Sequence, residues 1–445
     1  MSACVWYVSK YAALPAAGRA GTRAFLIMRE LARAGHRAVM LISDSNHLTE
    51  VPRLTGPHLL ETVEGVDVHW IRTRKFTGAK SIGRILSWLD FEWRLFLFPK
   101  QGLPRPDLVI VSSLSLLTIF NGLWLKLRYR CRLVFEVRDI WPLTIIEEGG
   151  FSARNPLVVG LAMIERLAYR TADVIVGTMP NLVAHVAEVA PRHAPVHCVP
   201  FGVDIDMIEK ARPLPPTWMQ EHIPAGKFVV CHAGTIGITN ALDTLFDCAR
   251  AMRERSDVHF LILGDGGLKS HYQAVTADLC NVSFAGAVAK NQVGAALEAC
   301  DLLYFSVHVS KVWNYGLSLN KVIDYMLAGK PIVASYSGYP TMVDEAGAGT
   351  AVPAGDPVAL EAEILRYAEM EAGARRAIGQ AGHDWLWRNR QYKDLAQLYL
   401  DIAVPSRYPG DVQAVTAMAG TDRTEIAPAQ KDHLQGSRTV GPSRD

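Results

Sequence analysis

Two Rossmann-like α/β lobes with a cleft between them are what this 445-residue sequence predicts. Three observations carry the expectation. A strand, a glycine-rich loop and a helix open the chain, and the same order restarts at Phe228. Between them Val199-Pro-Phe-Gly-Val-Asp204 reads as a crossing point. It divides the chain into stretches of about 200 residues, each long enough to bury its own core. The expected units are 1–203, 204–405 with C-terminal helices, and a tail, 406–445.

Hydrophobic residues make up 49% of the chain, enough for two cores. Cys4, Cys131, Cys198, Cys231, Cys248, Cys280 and Cys300 are odd in number and form no Cys-x-x-Cys pair. That argues against a disulfide framework or a zinc site and fits a reducing, cytoplasmic setting. The first residues lack a basic lead, and their apolar run is too short for a signal, so no secretion is expected. Residues 1–200 hold 24 Lys and Arg against 16 Asp and Glu, whereas residues 201–405 hold 17 against 23. The basic first half suggests an anionic partner, a membrane surface or phosphorylated acceptor ahead of nucleic acid, because no aromatic-basic nucleic-acid motif accompanies it.

Cys4 to Val8 is the first strand. A Gly- and Ala-rich loop follows, with Gly18, Gly21 and Arg23 as ligand candidates; its spacing is not Gly-x-Gly-x-x-Gly, and a plain turn explains it equally well. Phe25, Met28, Leu31 and Ala32 mark a helix that Gly35 ends, and Ala38 to Ile42 is the next strand. Val66 to Ile71 alternates as a strand, and Ile82 to Phe98 is an aromatic-rich helix. Leu108 to Leu125 is 18 residues without a charge, long enough to span a membrane. Strand, helix, then strand from Leu133 explains its apolarity better. The aromatic and basic content near 88–98 and 124–132 suits a face on an anionic bilayer, or a solvated basic helix end. Phe135-Glu-Val-Arg-Asp-Ile-Trp-Pro142 ends a strand, where open α/β sheets bind ligands, so Glu136, Arg138 and Asp139 are well placed; a structural Arg–Asp pair is the plain alternative.

In the second half a strand from Val229 runs into Gly234-Thr-Ile-Gly237, and Leu242, Leu245, Phe246 and Ala249 define the helix after it. Strand, glycine loop and helix start coincide here, a stronger phosphate-cradle pattern than the first. Strands ending at Gly264-Asp265-Gly266, near Gly286, at the long loop 306–316 and before Gly338 continue the alternation. Leu360 to Leu400 is helical. The Pro-, Gly- and charge-rich residues from Ser406 predict disorder. Tyr315 to Pro331 joins a Gly-Leu-Ser turn to a helix bearing Asn320 and Lys321 in its first turn, where unpaired N–H groups welcome an anion. An ordinary packing helix with a solvated lysine is the alternative.

Glu136-Val-Arg-Asp-Ile-Trp-Pro, Gly234-Thr-Ile-Gly, Leu263-Gly-Asp-Gly, Ser318-Leu-Asn-Lys-Val-Ile-Asp-Tyr-Met-Leu-Ala-Gly-Lys-Pro and Glu345-Ala-Gly-Ala-Gly stand in this order over residues 1–400. Together they resemble bacterial glycosyltransferase family 4, in its fucosamine-transferase-like branch of surface-polysaccharide enzymes. The resemblance implies the α/β GT-B fold, an acceptor in the first lobe, a nucleotide-diphospho sugar, UDP-linked, in the second, and transfer with retention. It places Gly234, Thr235, Ile236 and Gly237 against the diphosphate. Asp265, Gly266, Val288, Gly316, Ser318 and Asn320 join the donor pocket, and Asp324 bonds the ribose. Lys321 neutralises the leaving diphosphate, with Asp139 and Arg138 as the other catalytic candidates. No cofactor or metal is implied beyond the co-substrate. The acceptor would be a glycan or a polyprenyl-diphosphate-linked glycan at the cytoplasmic membrane face.

Four departures limit the transfer. Gly316 stands where the broad family has an acid, Thr235 and Asn240 where it often has Arg and Lys, Arg138 where it has a His, and Leu319 where the branch has a Pro. A nucleotide-sugar epimerase of the same architecture and a non-catalytic sugar-nucleotide-binding scaffold are the alternative readings.

Overall fold

The computed structural model of the protein describes residues 2–15, 21–46, 51–76 and 82–404. Gly18 and the tail expected to be disordered lie outside the described residues. In the first lobe the strands are β1 (Cys4–Ser9), β2 (Arg37–Ser43), β3 (His58–Val63), β4 (Val66–Ile71), β5 (Leu108–Ser112), β6 (Arg132–Val137), β7 (Val174–Gly177) and β8 (Val196–Cys198). They form one sheet in the order β3-β4-β2-β1-β5-β6-β7-β8, parallel except for the β3–β4 pair. In the second lobe β9 (Phe228–Ala233), β10 (Val258–Leu263), β11 (Val282–Gly286), β12 (Leu302–Ser306), β13 (Ile332–Ser335) and β14 (Gly349–Val352) form an all-parallel sheet, β11-β10-β9-β12-β13-β14.

Apolar runs such as Cys4–Ser9 and Val258–Leu263 are buried on both faces because helices cover both sides of a parallel sheet. Along β1, Val5 and Tyr7 enter one core with Phe25 and Met28 of the Arg23–Arg33 helix. Trp6 and Val8 enter the opposite core with Phe91, Leu95 and Ile119. The uncharged stretch from Leu108 is β5 and the Thr118–Tyr129 helix, and β6 begins at Arg132, so strand, helix and strand do account for it. Among the described residues no helix is long and apolar enough to cross a membrane.

Strand order reverses beside β1 in the first sheet and beside β9 in the second, and ligands of open α/β sheets bind at such switch points. The lobes are tied twice by the backbone. Near the first crossing Val203 N–H donates to Arg390 O (2.7 Å) and Val203 pairs with Gln391. After the second crossing the Tyr392–Ala403 helix lies on the first lobe, where Tyr392, Leu395, Tyr399 and Leu400 complete the core around Phe25. The sequence-based boundaries group this helix with the second lobe; its apolar face is buried in the first.

A third tie is a strap held by both side chains and backbone. The short turn Lys311–Tyr315 follows β12, and its Val312 and Tyr315 are buried in the core of the first lobe. Asn181 donates from its backbone N–H to Tyr315 O (3.0 Å) and from Nδ2 to Asn314 O (3.0 Å), and Tyr315 Oη donates to Glu188 (2.9 Å).

Candidate active site

At the end of β9 the chain turns at Gly234, whose φ of +148° favours glycine. A Cβ there would stand 3.3 Å from Nζ of Lys321 and 3.9 Å from Nε2 of His232. The loop after β10 lies directly against this turn. A Cβ on Gly264 would fall 1.9 Å from Gly234 O, and one on Gly266 2.2 Å from Ile236 O. Gly234 N–H donates to Leu263 O (2.9 Å) and Ile236 N–H to Asp265 O (2.8 Å). Asp265 also accepts from Gly266 N–H (2.8 Å). Ile236, Asp265 and Gly266 are therefore spent on holding the two loops together, which is the physical reason for glycine at 264 and 266.

The Asn320–Leu327 helix begins without a side-chain cap on its first N–H groups. Extended backbone at Leu319 leads into it, and the nearby Ser318 hydroxyl is buried without a hydrogen-bond partner. Lys321 reaches across to donate to Asn240 Oδ1, and Asn240 Nδ2 donates to Thr235 O (2.7 Å). Burial lowers the Lys321 ammonium to about 8. His232, fully buried, has both ring nitrogens unpartnered, and burial followed by the Lys321 charge holds it well below the ordinary histidine value. An uncapped helix start carries the half-buried Lys321 ammonium to the Gly234 turn, and the orphan Ser318 hydroxyl stands two residues before that helix. That donor set fits a phosphate.

Two expected donor residues have other partners. Asp324 is paired with Lys290 (2.5 Å), which sits in the turn after the partly buried Val288. Gly316 has φ +115°, and a Cβ there would fall 2.4 Å from Cδ of Pro180, so an acid at this position would collide with the first lobe. The missing side chain serves the strap.

In the first lobe Arg23 corrects the sequence reading. It is buried, paired with Glu136, and donates to Val199 O (2.6 Å) and Pro200 O (3.1 Å), which leaves it no reach toward a ligand. Glu136 also accepts from Tyr7, and it turns inward as well; burial would raise its carboxyl, but Arg23 and Arg138 outweigh that and hold it low. A Cβ on Gly21 would press on Phe25 (2.9 Å), a close loop-to-helix contact. Arg138 lies over the Phe201 ring at 4.9 Å.

Asp139 does open to solvent, yet surrounding protein desolvates and raises its carboxyl against the opposing Arg138 charge. Glu148 is raised by desolvation and by Asp139, with His308 of the second lobe opposing. His308 bonds Ile238 O (2.7 Å), so these three groups bring the lobes face to face beside the glycine loop. Sequence reasoning missed His232, Lys290, Glu148 and His308. Only His232 left a trace, a lone polar residue in an apolar strand just before Gly234.

The comparisons bear on these two lobes directly. Residues 20–202 match the family model described as "Glycosyl transferase 4-like domain", and residues 227–370 match the one described as "Glycosyl transferases group 1". The chain is a GT-B glycosyltransferase. Solved structures similar to this glycosyltransferase include sucrose-phosphate synthase from Thermosynechococcus elongatus (TM-score 0.67, 15% identity, 89% of this chain and 98% of that one). An E. coli structure described as "Trehalose-6-phosphate from E. coli bound with UDP-2-fluoro glucose" has a TM-score of 0.68 at 12% identity, with 89% of this chain and 98% of that one covered. WaaG, a glycosyltransferase involved in lipopolysaccharide biosynthesis, scores 0.61 at 15% identity, with 90% and 100% covered. At such identities the likeness shows the fold alone. No curated protein sequence matches.

Proposed function

We propose that this enzyme transfers a sugar, with retention at the anomeric carbon, from a UDP-linked donor to a glycan or polyprenyl-diphosphate-linked glycan during surface-polysaccharide assembly. An N-acetylated amino or deoxyamino sugar, as in the fucosamine-transferase-like branch, is the donor class. The single observation that carries the reading is Lys321, in the first turn of the uncapped Asn320–Leu327 helix, set against the Gly234 turn and bonded to Asn240. Proteins of similar fold support the donor class, since one is bound with UDP-2-fluoro glucose and another, from Anabaena, with UDP and glucose.

The bond from the sugar's anomeric carbon to the β-phosphate oxygen breaks as the bond to the acceptor oxygen forms. Charge accumulates on the departing diphosphate while the sugar becomes oxocarbenium-like. Lys321 and the helix N–H groups meet that charge where it grows, so they stabilise the transition state more than the bound donor. The acceptor's proton passes to the phosphate oxygen being released on the same face. Asp139, raised and open to solvent, orients the acceptor by accepting a hydrogen bond from a neighbouring, non-reacting hydroxyl, and Arg138 stands beside it.

The test is a panel of nucleotide-diphospho sugars in thermal shift, followed by product analysis by proton NMR with the best donor. A UDP-sugar that raises the unfolding midpoint and gives a retained linkage is the expected result. Stabilisation by no nucleotide sugar, or an inverted product, overturns the proposal. Conversion of the donor without acceptor would mark an epimerase instead.

A further inference from the structure

The Ile82–Leu97 and Thr118–Tyr129 helices lie side by side over one face of the first sheet. Asn121 Nδ2 donates to Glu92 O (3.0 Å), and the Phe96 and Trp124 rings meet edge to face at 5.1 Å. Their inward residues Phe91, Leu95, Ile119 and Leu125 fill the core. Their outward residues are also apolar. Leu89, Trp93, Phe96 and Leu97 follow one helical stripe, and Phe120 and Leu127 follow another; Trp93 is 62% exposed and Leu127 79%. A monomer surface rarely leaves so contiguous an aromatic and aliphatic face uncovered.

The charge around this face is predominantly positive, although Lys126 is paired with Asp173 (2.8 Å). Residues 82–132 hold eight Lys and Arg against three Asp and Glu. All three acids are engaged: Glu92 beneath Thr118 and Asn121, Asp90 with Arg94 (2.9 Å), and Asp107 with Cys4 N–H (2.8 Å). Exposed Arg128 and Arg130 stand at the end of the second stripe, and Lys100 extends over Trp124 (4.9 Å). Tryptophan and phenylalanine flanked by the exposed Arg128 and Arg130 match the bilayer interface, where aromatic rings settle at headgroup depth and arginines meet lipid phosphates.

We propose that this two-helix face docks the enzyme flat on an anionic lipid bilayer. Along the 16-residue first helix the stripe from Leu86 to Leu97 spans about 16 Å, an in-plane contact and not a span. The same helix's inner side reaches the acceptor side of the cleft. Ser87 Oγ accepts from the buried Lys10 (2.8 Å), Trp88 Nε1 donates to Tyr11 Oη (2.9 Å), and the Arg84 guanidinium lies 6.0 Å over Trp141, two residues beyond Asp139. A lipid-linked acceptor would then meet the cleft without leaving the membrane; that clause rests on the acceptor proposed above, whereas docking itself does not.

The test is flotation of the full chain with vesicles of phosphatidylcholine alone or with about 30% phosphatidylglycerol, read without any sugar substrate. Docking predicts flotation at least tenfold greater with the anionic vesicles and a fall with salt. W93D/L97D, which touches no cleft residue, abolishes it while the unfolding midpoint and transfer to a water-soluble acceptor stay unchanged. R128E/R130E removes the preference for anionic lipid by a second route. Absence of flotation by the full chain, or equal flotation by W93D/L97D, overturns the proposal. So does a dimer in light scattering that W93D/L97D converts to monomer, since a second copy would then be what covers the face. A failed donor screen with intact flotation would sink the proposed sugar transfer and leave docking standing.

Discussion

Replacing Lys321 with methionine keeps the bulk of the side chain beside Gly234 and removes its charge. At about 4 Å and an effective dielectric of about 20, a lysine and a phosphate oxygen attract by about 4 kcal/mol. Part of this exists in the bound donor, and the remainder appears as the diphosphate departs. The removal of one such donor costs other enzymes ~10²–10³ in rate, so Lys321→Met should lower kcat/KM on the order of a hundredfold or more. A pH signature accompanies it. With its ammonium lowered to about 8, Lys321 of the free enzyme is about nine-tenths charged at pH 7 and about one-tenth at pH 9. Wild-type kcat/KM for the donor should therefore decline about tenfold per pH unit above 8, and the variant should lose that limb. Stability moves the other way. A lysine whose folded value lies below its unfolded one holds fewer protons when folded, so it weakens the fold below pH 8, and the penalty fades between pH 8 and 10.5. Lys321→Met should unfold no more easily than wild type at pH 7. The assay is coupled detection of released UDP from pH 6.5 to 9.5 beside thermal unfolding. A folded variant within about fivefold of wild-type kcat/KM, with its alkaline limb intact, refutes the reasoning.

Three further outcomes are expected. Glu92 is raised by burial to about 7, so its folded form holds a proton that the unfolded chain releases near 4.5; stability should decline as pH rises from about 4.5 through 7, and Glu92→Gln should flatten that part of the unfolding midpoint against pH. Gly316→Ala forces a Cβ into Pro180 at a φ of +115° and should cost on the order of 2 kcal/mol or more, read as a lowered unfolding midpoint; an unchanged midpoint would show that the strap carries no such strain. Removing residues 405–445 should leave transfer rates unchanged, and a loss of activity would assign the tail a role in the reaction.

Much of the fold was legible because both sheets are parallel and buried, so β1, β4, β10 and β12 announce themselves as short apolar runs between helical periods. β3 was not, because His58–Val63 is an exposed antiparallel edge with no buried face to impose alternation. β14 was missed for a related reason: Gly349-Thr-Ala-Val is short and small-sided. At the candidate site, the Gly234 turn and the Asn320–Leu327 helix could be read from spacing, since glycine loops and helix starts are local. Pairings over long separations could not. Nothing local distinguishes Arg23, which meets Glu136 113 residues away, from a ligand-facing arginine. Likewise Lys290 meets Asp324 and the Lys311–Tyr315 turn enters the other lobe's core only because the chain folds back.

The return of the Tyr392–Ala403 helix to the first lobe has a consequence for how the molecule is made. Phe25, Leu26 and Met28 share a core with residues synthesised more than 360 positions later. At ribosomal speeds of about 5–20 residues per second, the first lobe's sheet exists for tens of seconds with that face uncovered. Its early helices must wait for the last one, and a ribosome that stalls anywhere in the second lobe leaves behind not one finished half but two incomplete ones.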